Sequence, residues 1–349
     1  MAGEWAEVPL GDVITLQRGF DLPSHDRKPG NVPIVSSSGV SGYHSEVGAR
    51  GPGVVTGRYG TIGQVFLIKE DYWPLNTTLW VKDFHGNDPH FASYLLRTID
   101  FQSCSDKSSV PGVNRNDLHR IPVSLPPLAE QKAIAAILGA LDDKIELNRQ
   151  MNATLEAMAR ALFQSWFIDF DPVRAKLDNR PPTNLNPATA ALFPDHLEDS
   201  PLGHIPKGWE VKTIESLCDV ITSGGTPARM NKAYWEPATV PWFKTGELLD
   251  GPLIDAEEKI SEEGLASSSC KLWPAGTILF ALYASPTVGR FGVLTKPGTA
   301  NQAAAALIAK PAYGVPFLMG LLYEARAELQ RVAVGAAQQN INQGVLKNH

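Results

Sequence analysis

The sequence predicts an α+β protein in which two similar mixed, mostly β domains are separated by one long coiled-coil-type helix. Three observations predict it. Short strand-like segments recur in the same order in the two halves of the 349-residue chain. Between them an apolar heptad pattern runs unbroken from Ile134 to Trp166. A proline-rich stretch then leads into the second half. The expected divisions are residues 1–125, 126–170, 171–207 and 208–349.

The repeat is read first, because long-period self-similarity decides the architecture. Trp5-Ala6-Glu7-Val8 is echoed by Trp209-Glu210-Val211, each opening a stretch that ends in glycine, DVITLQRG and DVITSGG. VPIVSSSG (residues 32–39) returns as VPWFKTG (240–246), and TIGQVFLIK (61–69) as TVGRFGVLTK (287–296). LNTTLWVK and ANQAAAALIAK follow those two, and GVNRNDLHR (112–120) is matched by QNINQGVLKNH (339–349). Any one pair is weak; the shared order makes a duplication. Within the copies VPIVS, GVVTG, QVFLIK, TLWVKD, VPWFK and TILFALY are short, rich in Val, Ile, Leu and Phe, and bounded by Gly and Pro, so they read as strands. Helical spacing is confined to HFASYLLRTIDFQS (90–103) and FLMGLLYEARAELQRV (317–332).

Between the copies the period changes. Pro126-Pro127 suits a first helical turn, where a missing N–H costs nothing. Ile134, Leu138, Leu141, Ile145, Asn148, Asn152, Leu155, Ala159, Leu162 and Trp166 then alternate steps of four and three, a seam that asks for a partner helix. Residues 127–170 would extend about 65 Å if helical throughout. Asn148 and Asn152 in mid-seam suggest a device that fixes register or orientation. The plainer reading is an amphipathic helix lying on one of the domains. Prolines 172, 181, 182, 187, 194, 201 and 206 mark the segment that follows as an extended connector.

Composition excludes several classes. With 43% hydrophobic and 19% charged residues the chain can bury two cores, and no apolar run reaches the roughly 20 residues of a membrane span. The N-terminus lacks the apolar core of a secretion signal. Three cysteines, Cys104, Cys218 and Cys270, show neither CxxC nor metal spacing, which points to a reducing cytoplasm. The net charge of −6 contains no basic arm, so contact with nucleic acid needs a local concentration of Arg and Lys or a partner that shares the phosphates. Phosphate loops, HExxH, GxSxG and dinucleotide turns are missing, and SLPPLAEQ lacks the leading Asn/Asp and the aromatic of an adenine-methyltransferase loop. Asp142-Asp143 read as a solvated face rather than a paired acid site. The chain is therefore expected to carry no catalysis, metal or cofactor of its own.

LPPLAEQKAIAAIL, SWFIDFDPVRAK, LFPDHLEDSPLGHIPKGWEV and SGGTPARMNKAYWEPATVPW together resemble the specificity subunits of type I restriction–modification enzymes, over essentially the whole chain. The resemblance implies two target-recognition domains that each read half of a bipartite double-stranded DNA sequence. It implies a spacer helix that docks methyltransferase subunits, which carry S-adenosylmethionine, and a separate restriction and motor subunit. It also implies a second PPL..EQ helix, which is not found after Leu346-Lys347-Asn348-His349. A shortened chain of this kind is the alternative: an adaptor or regulator that binds the methyltransferase, or pairs with itself through the helix, without being a full specificity subunit.

Candidate DNA contacts are polar or basic residues on glycine-rich turns, where main chain can approach a duplex. In the first domain these are Arg58, Tyr59, Thr61, Gln64, Lys107, Ser108, Asn114 and Arg115. In the second they are Thr226, Arg229, Lys232, Lys244, Tyr283, Arg290, Gln338, Gln339 and Asn342. Each could equally be a turn former. Trp5, Trp73, Trp209 and Trp242, beside apolar runs, are expected to be core anchors. Trp166, Phe167 and Phe170 are expected either to fasten the helix end to a domain or to dock a methyltransferase.

Overall fold

The computed structural model describes residues 5–104, 112–283, 286–334 and 341–349. The chain divides into two compact units, Met1–Thr154 and Leu155–His349.

In the first unit Ala6–Pro9 pairs antiparallel with Pro122–Leu125, so the domain closes immediately before the long helix. A four-stranded antiparallel sheet follows the order Thr15–Arg18, Thr78–Asp83, Gly53–Gly57, Val65–Ile68. Beside it, Val32–Ser36 is flanked antiparallel by Gly39–His44 and parallel by Trp73–Pro74. The central strand GVVTG is buried at every position because both its faces are covered. Neighbouring residues point to opposite sides of a strand. Accordingly Val54 joins Leu16, Leu79, Leu96 and Leu118 in one core, and Val55 joins Val35, Ala49 and Tyr72 in the other. The first face is roofed by helix Pro89–Arg97, started by Asp88, whose carboxylate accepts from the Phe91 N–H at 2.9 Å.

The second unit repeats this plan. Its sheet runs Cys218–Ser223, Ala304–Ala309, Ile278–Ala281, Phe291–Leu294, with Pro252–Leu253 added parallel at the edge. Val240–Phe243 is flanked antiparallel by Glu258–Ile260 and parallel by Thr299–Ala300, matching the first domain strand for strand. The first strand of each sheet breaks register near its start, between Thr15 and Leu16 and between Cys218 and Val220. Each domain also carries a short helix capped by asparagine, Asn114 or Asn342, that drops a fully buried leucine, Leu118 or Leu346, into the core. The duplication inferred from four sequence echoes is thus a duplication of topology. Helix Gly314–Val334 takes the place of Pro89–Arg97 and is more than twice as long.

The heptad segment forms one helix, Leu128–Phe163, of 36 residues and about 54 Å. The boundary between the two compact units falls within it. It does not reach Phe170 as regular α-helix. Gln164–Ile168 widen into a π-turn, and Phe170 adopts φ 56°, in the left-handed region, which ends the run before Pro172 starts the next helix, Asp171–Leu177. The proline-rich connector is also more ordered than an extended chain. Asn186 caps a helix at Pro187–Ala191, and Leu197–Ser200 folds back on Gly203–Pro206 as a hairpin.

Candidate nucleic-acid interface

The turn after the central strand of the first domain is held by its main chain. The N–H groups of Arg58 and Tyr59 both donate to the Thr77 carbonyl, at 2.8 and 3.2 Å, and the Arg58 carbonyl accepts from Val113 at 3.0 Å. A β-carbon at Gly57 would sit 1.8 Å from the Thr61 carbonyl oxygen, so only glycine allows the turn to close this tightly. Four predicted residues, Arg58, Tyr59, Asn114 and Arg115, line one pocket of about 370 Å³. Arg18 joins them there. Arg18 is not among the residues singled out in the sequence, although it stands at a strand end before Gly19, the position that places a side chain at a sheet rim. The Arg58 guanidinium lies 4.5 Å from the centre of the Tyr59 ring. Thr61 and Gln64 are exposed nearby but do not line this pocket, and Lys107 and Ser108 lie outside the described residues.

Asn114 has a local task as well. Its side-chain oxygen accepts from the Asn116 N–H at 3.0 Å, as Asn342 accepts from Val345 at 2.8 Å. Asn114→Ala and Asn342→Ala are each expected to cost about 0.5–2 kcal/mol in urea denaturation, with the Asp variants close to wild type. An asparagine serving DNA alone would leave stability unchanged.

At the end of the short helix that Arg115 begins, His119 Nε2 accepts the Leu16 N–H at 2.9 Å, which requires an unprotonated ring nitrogen. Burial, then the charges of Arg115 and His85, hold its pKa below the usual histidine value. A depressed pKa means that the stability His119 supplies is complete above about 6.5 and is lost as pH falls through the lower folded-state value. Urea midpoints measured from about pH 7.5 to about 5 should fall more steeply for wild type than for His119→Gln, whose amide oxygen can accept the same N–H without titrating. Equal slopes would remove His119 as the source.

In the second domain Arg229 and Lys244 come together, but on acids. Arg229 pairs with Glu258 and lies 3.8 Å from the centre of the Trp235 ring and 4.9 Å from that of Trp242. Lys244 reaches Glu257 at 2.9 Å and Glu258 at 3.1 Å. Hydrogen bonding from Arg229, then Lys244, holds the Glu258 carboxyl below its ordinary range. Thr226 donates to Gln302, and Lys232 is exposed at the start of a turn capped by Asn231. Tyr283, Arg290 and Asn342 lie beside the larger sheet rather than in its strands. Tyr283 packs against its core, Arg290 closes a turn onto the Thr287 carbonyl at 2.9 Å, and the Leu282 carbonyl accepts from Ile341 at 2.8 Å beside Asn342. Gln338 and Gln339 lie outside the described residues.

The start of the long helix is pinned by a residue to which the sequence assigned no role. Gln131, in PPLAEQ, is buried; its amide donates to Asn87 at 2.8 Å and to the Pro126 carbonyl at 2.9 Å, and its oxygen accepts from Asp88 at 3.0 Å. Asp142 is not merely solvated, since Tyr94 and Arg97 reach it at 2.9 and 3.0 Å. Ile134 and Leu138 face a groove of about 760 Å³ edged by Trp5 and Tyr94. Trp5 is not a core anchor. It is 46% exposed and donates to Glu130, because its strand pair stands apart from the main sheet. Trp242 is buried, as expected, and donates to the Gly225 carbonyl at 2.8 Å.

From Leu141 onward the seam is open. Leu141, Ile145, Asn148, Asn152, Leu155, Ala159 and Leu162 are exposed, and Ile137, Met151 and Met158 beside them widen the stripe beyond the narrow seam expected. Trp166 leaves the seam for an aromatic cluster, packing on Phe193 at 5.7 Å and Phe167 at 6.3 Å between ring centres. Phe167 meets Phe317 at 5.1 Å and Trp209 at 5.8 Å, and Phe170 meets Trp209 at 5.8 Å. Of the two roles open to these aromatics, fastening the helix end to the second domain is the one their contacts display.

Among the described residues no group of His, Cys, Asp and Glu could hold a metal ion, and no helix is long and apolar enough to cross a membrane. The model of the type I restriction modification DNA specificity domain matches residues 2–157 and again 206–349. The chain is 30% identical to the type I restriction enzyme HindI specificity subunit of Haemophilus influenzae, over 86% of this chain and 78% of that protein. It is 28% identical to the MjaIX specificity subunit of Methanocaldococcus jannaschii, over 63% of this chain and 47% of that protein. Its fold is similar to the solved S subunit of a type I restriction–modification system from M. genitalium, with a TM-score of 0.58 at 15% identity, covering 99% of this chain and 83% of the other.

Proposed function

Because the chain belongs to the type I restriction–modification DNA specificity family, we propose that it is the sequence-reading subunit of such a complex. The observation that carries the reading is the family's domain matched once in each half, on two copies of one strand plan. Two like readers suit a target of two half-sites. Residues 1–125 and 208–349 are the readers in this proposal, and the helix between them in the chain is the docking element for methyltransferase subunits. Methyl transfer, with S-adenosylmethionine, and DNA cutting then belong to those subunits and to the restriction and motor subunit, in the cytoplasm where the DNA is. Co-expression with a methyltransferase subunit and mapping of methylated adenines should give a split motif that changes when either reader is altered. A contiguous motif, or methylation indifferent to this chain, would overturn the reading.

The open stripe supports a second reading, self-association. Two copies of the helix laid antiparallel about its centre place Asn148 against Asn152, Ile145 against Leu155 and Leu141 against Ala159, so polar meets polar and apolar meets apolar. Native mass measurement decides it: a dimer is expected on this reading, and a monomer at all concentrations removes it.

A further inference from the structure

Three arginines line the pocket of the first domain: Arg18 from the first strand, Arg58 after the central strand and Arg115 after the capping asparagine. The shared ladders fix their counterparts in the second domain. Arg18 pairs with Leu79 as Ser223 pairs with Ala305. Arg58 donates to the Thr77 carbonyl and accepts from Val113, as Leu282 donates to Ala303 and accepts from Ile341. Arg115 follows Asn114 as Gln343 follows Asn342. Ser223, Leu282 and Gln343 carry no charge. The equivalent positions are therefore triply cationic in one domain and neutral in the other.

The cations are also largely uncompensated. Arg18 shares Asp21 at 3.2 and 3.3 Å, whereas Arg58 and Arg115 have no carboxylate partner among the described residues. Arg229 and Lys244 show the contrast, since both are satisfied by glutamates. Arg58 is half-buried, with the face of Tyr59 beneath it. Two arginines without a carboxylate partner among the described residues and a third that shares one, in a chain of net charge −6, make a place suited to an anion. A guanine edge takes one bidentate arginine, whereas the oxygens of a phosphodiester, all acceptors, can take several.

We infer that this pocket seats a backbone phosphate of duplex DNA, so that the first domain supplies an electrostatic grip that the matching site of the second does not. The inference rests on the DNA-reading role proposed above. It is tested on the full chain by fluorescence anisotropy with several duplexes of roughly 30 base pairs and unrelated sequence, over roughly 50 to 300 mM salt. The double variant Arg58→Gln, Arg115→Gln should bind every duplex more weakly, with a log–log salt slope shallower by about 0.9, the release expected for the one phosphate contact. Arg115→Lys should keep the wild-type slope, as should Ser223→Ala with Gln343→Ala in the second domain. An unchanged slope in the double variant overturns the pocket alone, as does a loss confined to one sequence, the mark of base reading. Wild-type chain that binds no duplex at any salt overturns the DNA reading itself.

Discussion

Replacing Phe167 with alanine is expected to destabilise the second unit by about 2–4 kcal/mol, among the largest effects of any single change outside the sheet cores. Phe167 touches Phe163, Trp166, Trp209 and Phe317, with ring centres 5.0 to 6.3 Å away, and it is the only one of the cluster with four ring partners among the described residues. Its removal opens a void between the end of the long helix and helix Gly314–Val334. Gly320→Val should produce the same phenotype by another route, because a β-carbon there would lie 2.3 Å from the Phe163 ring. Urea denaturation reports the loss, and amide exchange over residues 155–168 locates it. Protection of that segment unchanged in both variants would show that the aromatic cluster does not anchor the helix.

Leu141→Lys with Leu155→Lys is expected to do the reverse, leaving the fold intact and abolishing assembly. Both residues are more than half exposed in the isolated chain, at 54% and 55%, so the unfolding free energy should move by no more than about 0.5 kcal/mol. In a closed helix seam each lysine would bring an unpaired charge into an apolar layer. Association with a methyltransferase subunit, or with a second copy, should weaken at least about a hundredfold. Size-exclusion chromatography of the co-expressed proteins reads this directly. Assembly at wild-type affinity would move the docking face elsewhere on the molecule.

The repeat was legible because buried strands announce themselves. VPIVS, GVVTG and TLWVKD are apolar runs cut by Gly and Pro, and their copies follow in the same order. The helix was legible through its seam, although the strict three-and-four spacing passed over Ile137, Met151 and Met158, which lie one position to the side and widen the stripe. Its ending was not legible. The π-turn and left-handed Phe170 are held by rings from Phe193 and Trp209, far along the chain, and nothing in the local pattern foretells them. Charge pairing was hidden for the same reason. Arg229 and Lys244 look free in sequence, but the strand pairing of Val240–Phe243 with Glu258–Ile260 sets Glu258 between them. Arg18 was missed in the opposite sense, since its company in the pocket comes from residues 40 and more positions away.

The agreement of main-chain ladders in the two domains, set against the disagreement of Arg18, Arg58 and Arg115 with Ser223, Leu282 and Gln343, separates two kinds of inheritance. Main-chain bonds carry foldability, and side chains at the rim carry chemical preference. Drift at positions such as Arg18 and Arg115 can therefore retune what one half grips while its partner half, and the shared framework, stay as they were.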